Sequence, residues 1–185
     1  MTNFPIHSIE TAPGASRPAL EALNSAFGFI PNIAGTMATS PVLIGSLTDL
    51  FARVHGGSFS KAEIQILLLT NAVTNKAEWA VAFHSYLAIA EGVRAESVTS
   101  IRDGALPVDA RHAALAKLTR TLIESRGGLS EVEKREFLDA GFDESRLLEV
   151  VAVLAASTIT NYTSNITQPP LETPFQPHVW QTGRG

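Results

Sequence analysis

The 185-residue sequence contains no cysteine. That absence excludes disulfides, thiolate metal sites, iron–sulfur clusters and any cysteine nucleophile or peroxidatic thiol. Charge is also scarce: 17% of the residues are charged against 45% apolar, so apolar surface is expected to end up against another subunit, in a homo-oligomer. The formal charge of -4 is interspersed, with no basic stripe to neutralise phosphates, and nucleic acid is not an expected partner. The opening MTNFPIHSIE lacks the basic and apolar regions of a secretory signal, and the longest apolar run, Val150 to Ala156, is too short to span a bilayer. A cytoplasmic chain without a membrane partner is the expectation. Runs of alternating polar and apolar residues joined by Asn-Gly or Asp-Gly turns are missing too, which removes the usual signature of a sheet.

What is present is helix punctuation at regular intervals. Arg17 to Phe27 opens after Ser16 with Pro18 in its first turn and closes at Gly28, and a short segment starts at Pro31. Pro41 to His55 has Ser40 as cap and Gly56-Gly57 as stop. Ser60-Lys61-Ala62-Glu63 is a capping box in front of the apolar run IQILLLTNAV. After a break at Thr74-Asn75-Lys76, helices are expected over Ala77 to Glu91, Ala95 to Arg102 and Asp109 to Arg126. A second capping box at Ser130-Glu131-Val132-Glu133 starts a segment ended by Gly141, and Asp143 to about Ile166 is the last long helix. The reading is an all-α irregular array of about eight or nine helices, with one domain over residues 1–168. Four prolines between Pro169 and Pro177 forbid a further helix, so residues 169–185 are expected to form an extended tail strapped through Phe175, His178 and Trp180.

At 100° per residue, Ala77, Ala80, His84, Ala88 and Glu91 share one narrow stripe, with Trp79, Phe83 and Tyr86 opposite. A helix apolar on nearly all faces is buried all round, which points to core on one side and a subunit interface on the other. The alanines beside His84 leave either a ligand-sized gap or room for a bulky residue from a facing helix, and a hydrogen-bonded core histidine is the plainer role. His55, at a helix end, reads as a C-terminal cap, and His112 as solvent-exposed. His7, His55, His84, His112 and His178 show no metal-ligand spacing, so neither metal nor cofactor is expected. Gly56-Gly57 and Gly127-Gly128 do not form a phosphate loop, and Ser85 and Ser157 lack a nucleophile-elbow context.

The stretch FSKAEIQILLLTNAVTNKAEWAVAFHSYLAIAEGVRAESVTSIRDG resembles the core motif of the carboxymuconolactone decarboxylase and alkyl hydroperoxidase D (AhpD)-like superfamily. There the usual form is a Leu-Ser start, two acidic residues two apart, an apolar run, Asn-Gly-Cys-x-Tyr-Cys, three residues, His, then Gly, Glu and Val. Ser60, Glu63, Asn75, Glu78, His84, Gly92, Val93, Glu96 and Val98 fit it. GFIPN near Gly28, the Ser40-Pro41 pair, AGFDESRLLEVV and Asn161 to Pro170 extend the resemblance to the longer, peroxidase-related branch, over roughly residues 20–172.

The departures carry as much as the matches. Both cysteine positions are alanine, Ala77 and Ala80, and Gln65 stands where the family's proton-relay glutamate is expected. The resemblance implies a thiolate attacking peroxide while histidine and glutamate move protons; alanine supplies no nucleophile, and glutamine accepts no proton near neutral pH. His84 remains, with Gln65, Glu63 and Glu78 as helpers in acid–base chemistry if a pocket unites them. Decarboxylases of the same superfamily also work without a cysteine pair, which makes lyase-like chemistry on a small carboxylated or carbonyl-bearing metabolite one reading by analogy. The other is a non-catalytic oligomeric binding or structural protein in which His84 is a remnant. The environment of His84 separates them. In either case, a hydroperoxide-consumption assay with a dithiol or thioredoxin-like reductant should show turnover no faster than the uncatalysed rate.

Overall fold

The computed structural model describes residues 4–182, and among these there are helices and no strand. The nine α-helices are α1 (Arg17–Phe27), α2 (Asn32–Met37), α3 (Pro41–His55), α4 (Lys61–Thr74), α5 (Glu78–Ala90), α6 (Ala95–Arg102), α7 (Ala110–Glu124), α8 (Glu131–Asp139) and α9 (Glu144–Thr167). Their boundaries follow the local chemistry. At Ser60 and at Ser130 both halves of the capping box form: Ser60 N–H donates to Glu63 Oε2 (2.9 Å), and Glu63 N–H to Ser60 Oγ (3.2 Å). Asp109 and Asp143 cap α7 and α9 by accepting from the backbone N–H three residues on. Gly28 ends α1 at φ 77°, a left-handed conformation that glycine adopts without strain. Ser16 differs from the expectation. It lies in a short 3-10 turn, and its buried hydroxyl donates to Ala38 O (2.7 Å), tying the start of α1 to the end of α2 instead of capping α1.

Helix α4 is the hub, packing on α5, α6, α7 and α9. Ile64 to Ala72 are buried without a break, so the helix has no solvent face along its middle two turns. Three of these buried residues are polar, Gln65, Thr70 and Asn71, and a ladder of amides engages Asn71. Asn71 Oδ1 accepts from Asn161 Nδ2 (2.8 Å) and Asn75 Nδ2 (2.6 Å), while Asn71 Nδ2 donates to Leu154 O (3.3 Å). Because all of α4's partners here sit on α9 or at its own C-terminus, the ladder fixes the register of α4 against α9. The two glycines after α3 admit a second tie: Glu149 of α9 accepts from Ser58 N–H (2.8 Å), and its carboxylate occupies the space a Cβ on Gly57 would need.

The covering of α5 departs from the sequence-based expectation. Trp79 to Ser85 and Ala88 are buried, but by this chain itself: α4, α6 and α9 pack on it, and the C-terminal tail covers the remaining side. Toward the C-terminal end of α5, Tyr86 and Ile89 stay 39% and 42% exposed. The tail is not wholly extended. Thr173–His178 is a 3-10 turn, permitted because Pro174 falls in its first turn, where the missing N–H costs nothing. Phe175 is fully buried among Phe29, Trp79, Phe83 and Tyr86, with ring centroids 5.1 Å from Phe83 and 5.3 Å from Tyr86. Glu172 clamps the tail at its root, accepting from Trp79 Nε1–H (3.0 Å) and from Asn32 N–H (2.6 Å). Trp180 Nε1–H donates to Arg102 O (3.1 Å) farther on.

The tail is thus part of the core wall. Phe175→Ala should lower unfolding free energy by about 3–5 kcal/mol, the range for a deleted buried phenylalanine, as read from urea denaturation followed by circular dichroism.

Candidate functional site

His84 comes from the middle of α5 and Gln65 from the first turns of α4, the most closely packed helix pair in the protein. Both side chains are buried. His84 Nδ1 lies 3.0 Å from Gln65 Oε1. An amide oxygen only accepts, so Nδ1 carries the proton, and in a neutral ring that leaves the lone pair on Nε2. Burial, reinforced by the nearby charge of His55, pushes the His84 pKa from 6.5 down to about 3. Near neutral pH the ring is therefore an uncharged imidazole with a fixed tautomer.

The ring borders a cleft of about 410 Å³ between α1, α3, α4 and α5. Leu23 and Phe27 of α1, Phe51 of α3, Leu68 of α4 and Phe83 and Leu87 of α5 make its walls largely apolar. Its polar groups are few: Thr48, His55, Gln65, His84, Lys61 and Glu91. Gln65 and His84 lie together in the wall, whereas Lys61 and Glu91 form a loose ion pair (4.0 Å) with Lys61 well exposed. His55 also lines the cleft. Its Nδ1 engages Phe51 O (2.9 Å) as a helix-end cap would, and its ring stacks on Phe51 at 5.3 Å. A smaller apolar recess of about 50 Å³, bounded by Pro31, Ile33, Leu47, Trp79 and Phe83, opens beside the same imidazole.

The residues singled out from the sequence divide sharply. His84 and Gln65 meet. Glu63 does not join them: it closes the Ser60 capping box and pairs with Arg111 (2.8 Å). Burial tends to raise its pKa, but the Arg111 guanidinium and the Ser60 donors hold it below the ordinary carboxylate range. Glu78 points away from His84, as its place 100° round from Ala77 suggested, and accepts from the backbone and hydroxyl of Thr182 (3.2 and 3.1 Å). Ala77 and Ala80 are fully buried and line neither cavity, so the opening lies on the Phe83–Leu87 side of His84, not along the alanine stripe. His112, expected to be exposed, is half-buried, with its ring 3.9 Å from Asp109. Among the described residues no group of three or more His, Asp or Glu side chains converges as metal ligands would.

The contribution of α1 and α3 was not identified from sequence. The signal was present in the apolar spacing of Leu20, Leu23 and Phe27, but it does not distinguish a face that meets a packed neighbour from one that lines a cavity. One further detail bears on the redox motif. Lys76 stands at the glycine position of the Asn-Gly-Cys motif and has φ 55°, the left-handed conformation for which glycine is suited.

No family model and no curated protein matches the sequence. Solved structures do match the fold. A peroxidase-related protein with an alkylhydroperoxidase AhpD core from Ralstonia eutropha JMP134 superposes with a TM-score of 0.82 at 15% identity, over 94% of this chain and 93% of that one. A peroxidase-related protein from Silicibacter sp. TM1040 gives 0.78 at 15% identity, covering 94% and 92%. The debrominase Bmp8 gives 0.78 at 15% identity, covering 96% of each chain. At such identities the likeness is one of architecture: this chain has the all-α alkylhydroperoxidase D-like fold, and it carries that fold without a cysteine.

Proposed function

We propose that the cleft beside His84 binds a small, largely apolar planar molecule bearing a carbonyl or acidic group, and that neutral His84 acts on it as a general base through Nε2. The observation that carries this reading is the pairing of a buried, uncharged imidazole, held in one tautomer by Gln65, with an apolar cleft of about 410 Å³ at its edge. A ring with Nδ1–H committed to Gln65 takes a proton only at Nε2. Proton abstraction would leave an imidazolium in an apolar wall, which is costly, so the proton is passed on promptly to substrate or water. This is acid–base chemistry of the lyase or decarboxylase kind, and it needs no thiol.

A fold neighbour supports the ligand class. A cysteine-to-alanine variant of Bmp8, superposing here with a TM-score of 0.75 at 16% identity, is solved in complex with 2,3,4-tribromopyrrole. In that fold, a cysteine replaced by alanine is compatible with holding a small, flat, apolar ring. Ala77 and Ala80 stand at the motif's two cysteine positions in this chain, buried and outside the lining of the cleft.

The test is a screen of halopyrroles, phenols, aromatic acids and small carbonyl compounds by ligand-observed NMR, followed by solvent-deuterium exchange at acidic C–H positions of the hits. Hits should be lost in Leu23→Trp, which fills the cleft, and retained in His84→Gln, with exchange abolished in the latter. Hits that bind Leu23→Trp equally well, or exchange that survives His84→Gln, would overturn the proposal.

The titration of His84 gives a second expectation. Its folded pKa of about 3 lies below the unfolded value near 6.5, so between these values the unfolded chain binds more protons and stability falls as pH falls. Lowering the pH from 7 to 5 should therefore cost the wild type about 2 kcal/mol more than it costs His84→Gln. Urea titrations of both proteins at the two pH values read the difference directly. At pH 7 the substitution itself should stay within about 1–2 kcal/mol, the scale of one buried hydrogen bond.

A further inference from the structure

Among the described residues, helix α9 is covered on one side, and the other carries an apolar row. Its inner side places Val150, Val153, Ser157, Thr160, Asn161 and Ser164 in the core. On its outer side Leu148 is 68%, Val151 51%, Tyr162 57% and Ile166 70% exposed. Exposed Ala155 and half-buried Ile159 complete this outer row. At 100° per residue the six positions fall within an arc of about 80°, spaced three or four residues apart, as in the seam of a paired helix. From Val150 to Thr167 there is no charged residue on any face, whereas a helix facing water normally carries its charges there. Only 39% of the helix's most apolar eighteen-residue stretch is buried.

We propose that this face is the contact with a second copy of the chain, α9 lying antiparallel on α9 about a two-fold axis near Ser157. The row is close to palindromic about that point. Antiparallel alignment sets Leu148 against Ile166 of the second copy, Val151 against Tyr162 and Ala155 against Ile159, so the one small position receives a large side chain. Parallel alignment would instead oppose Ala155 to itself and Tyr162 to itself, leaving a void beside a clash. A face that complements itself closes into a dimer with each contact made twice. The four large exposed residues offer roughly 500 Å² by themselves, more than half of the about 800 Å² per partner in a standard specific interface, before Ala155, Ile159 and the flanking turns are added. A different protein partner would ordinarily be selected by charges around the seam, and a membrane surface would call for flanking Lys or Arg; the charges of α9 are confined to its start, where Glu144 stands in the first turn, Arg146 pairs with Asp143 (3.1 Å) and Glu149 accepts from Ser58.

The absence of native cysteine makes the register directly measurable. Sedimentation of the full chain at micromolar concentration should give a dimer, and Ala155→Glu should give a monomer with an unchanged circular dichroism spectrum. Leu148→Cys and Ile166→Cys, each oxidised alone, should not cross-link, whereas a mixture of the two should form a covalent heterodimer. A monomeric wild type, a dimer indifferent to Ala155→Glu, or cross-linking of either single variant with itself would overturn the proposal. So would flotation of the protein with phosphatidylcholine vesicles that Ala155→Glu abolishes, since the face would then serve a bilayer.

Discussion

The fold depends on burying two adjacent helices that have almost no polar face. Helices α4 and α5 pack most intimately with each other, and between them they leave no stretch suited to water. Each must be covered from every direction, and most of the remaining architecture is that cover: α6 and α7 on one side, α9 across the back, the tail over the outer side of α5. Burial of this kind is non-directional and would tolerate sliding. What fixes the register is the small set of polar groups caught inside, since an amide without a partner in the core costs about as much as a hydrogen bond lost. Asn71, Asn75 and Asn161 lock α4 to α9, and Gln65 with His84 locks α4 to α5.

That second lock is also what gives His84 its chemical character. The same bond that satisfies the buried imidazole assigns its proton to Nδ1, and the same burial that excludes water keeps the ring uncharged. In a thiol enzyme with a carboxylate at the Gln65 position, a charged pair would stabilise an imidazolium; here a neutral amide does not. The buried pair of Gln65 and His84 is thus uncharged near neutral pH. The aromatic wall beside it depends in turn on the tail, because Phe175 packs against Trp79 and Phe83, which border the recess next to His84. Site and tail are therefore mechanically linked.

Local chemistry made much of this legible in the sequence. The capping boxes at Ser60 and Ser130, the aspartate caps and the glycine stops are interactions within a few residues, so they form wherever the chain goes, and α4, α7, α8 and α9 begin where these caps lie, as α1 and α3 end at their glycines. The absence of cysteine rules out thiol chemistry without reference to any fold. The motif around His84 also placed the imidazole near Gln65, because two consecutive helices of nearly four turns each meet along their length once both are buried.

Tertiary structure alone decided how exposed faces and charges were spent. Glu63 and Glu78 look like helpers of His84 by proximity in sequence, yet Arg111 and Thr182, both distant in sequence, claim them. An apolar stripe reads the same whether a neighbour fills its groove or leaves a cleft, so neither the opening beside His84 nor the contribution of Leu23, Phe27 and Phe51 to it could be read from spacing. The same ambiguity holds for the apolar faces: the tail covers much of α5, whereas among the described residues the outer row of α9 stays largely exposed. Periodicity along a helix determines that a face must be buried; which surface buries it depends on long-range packing, and that is fixed only when the whole chain has found its places.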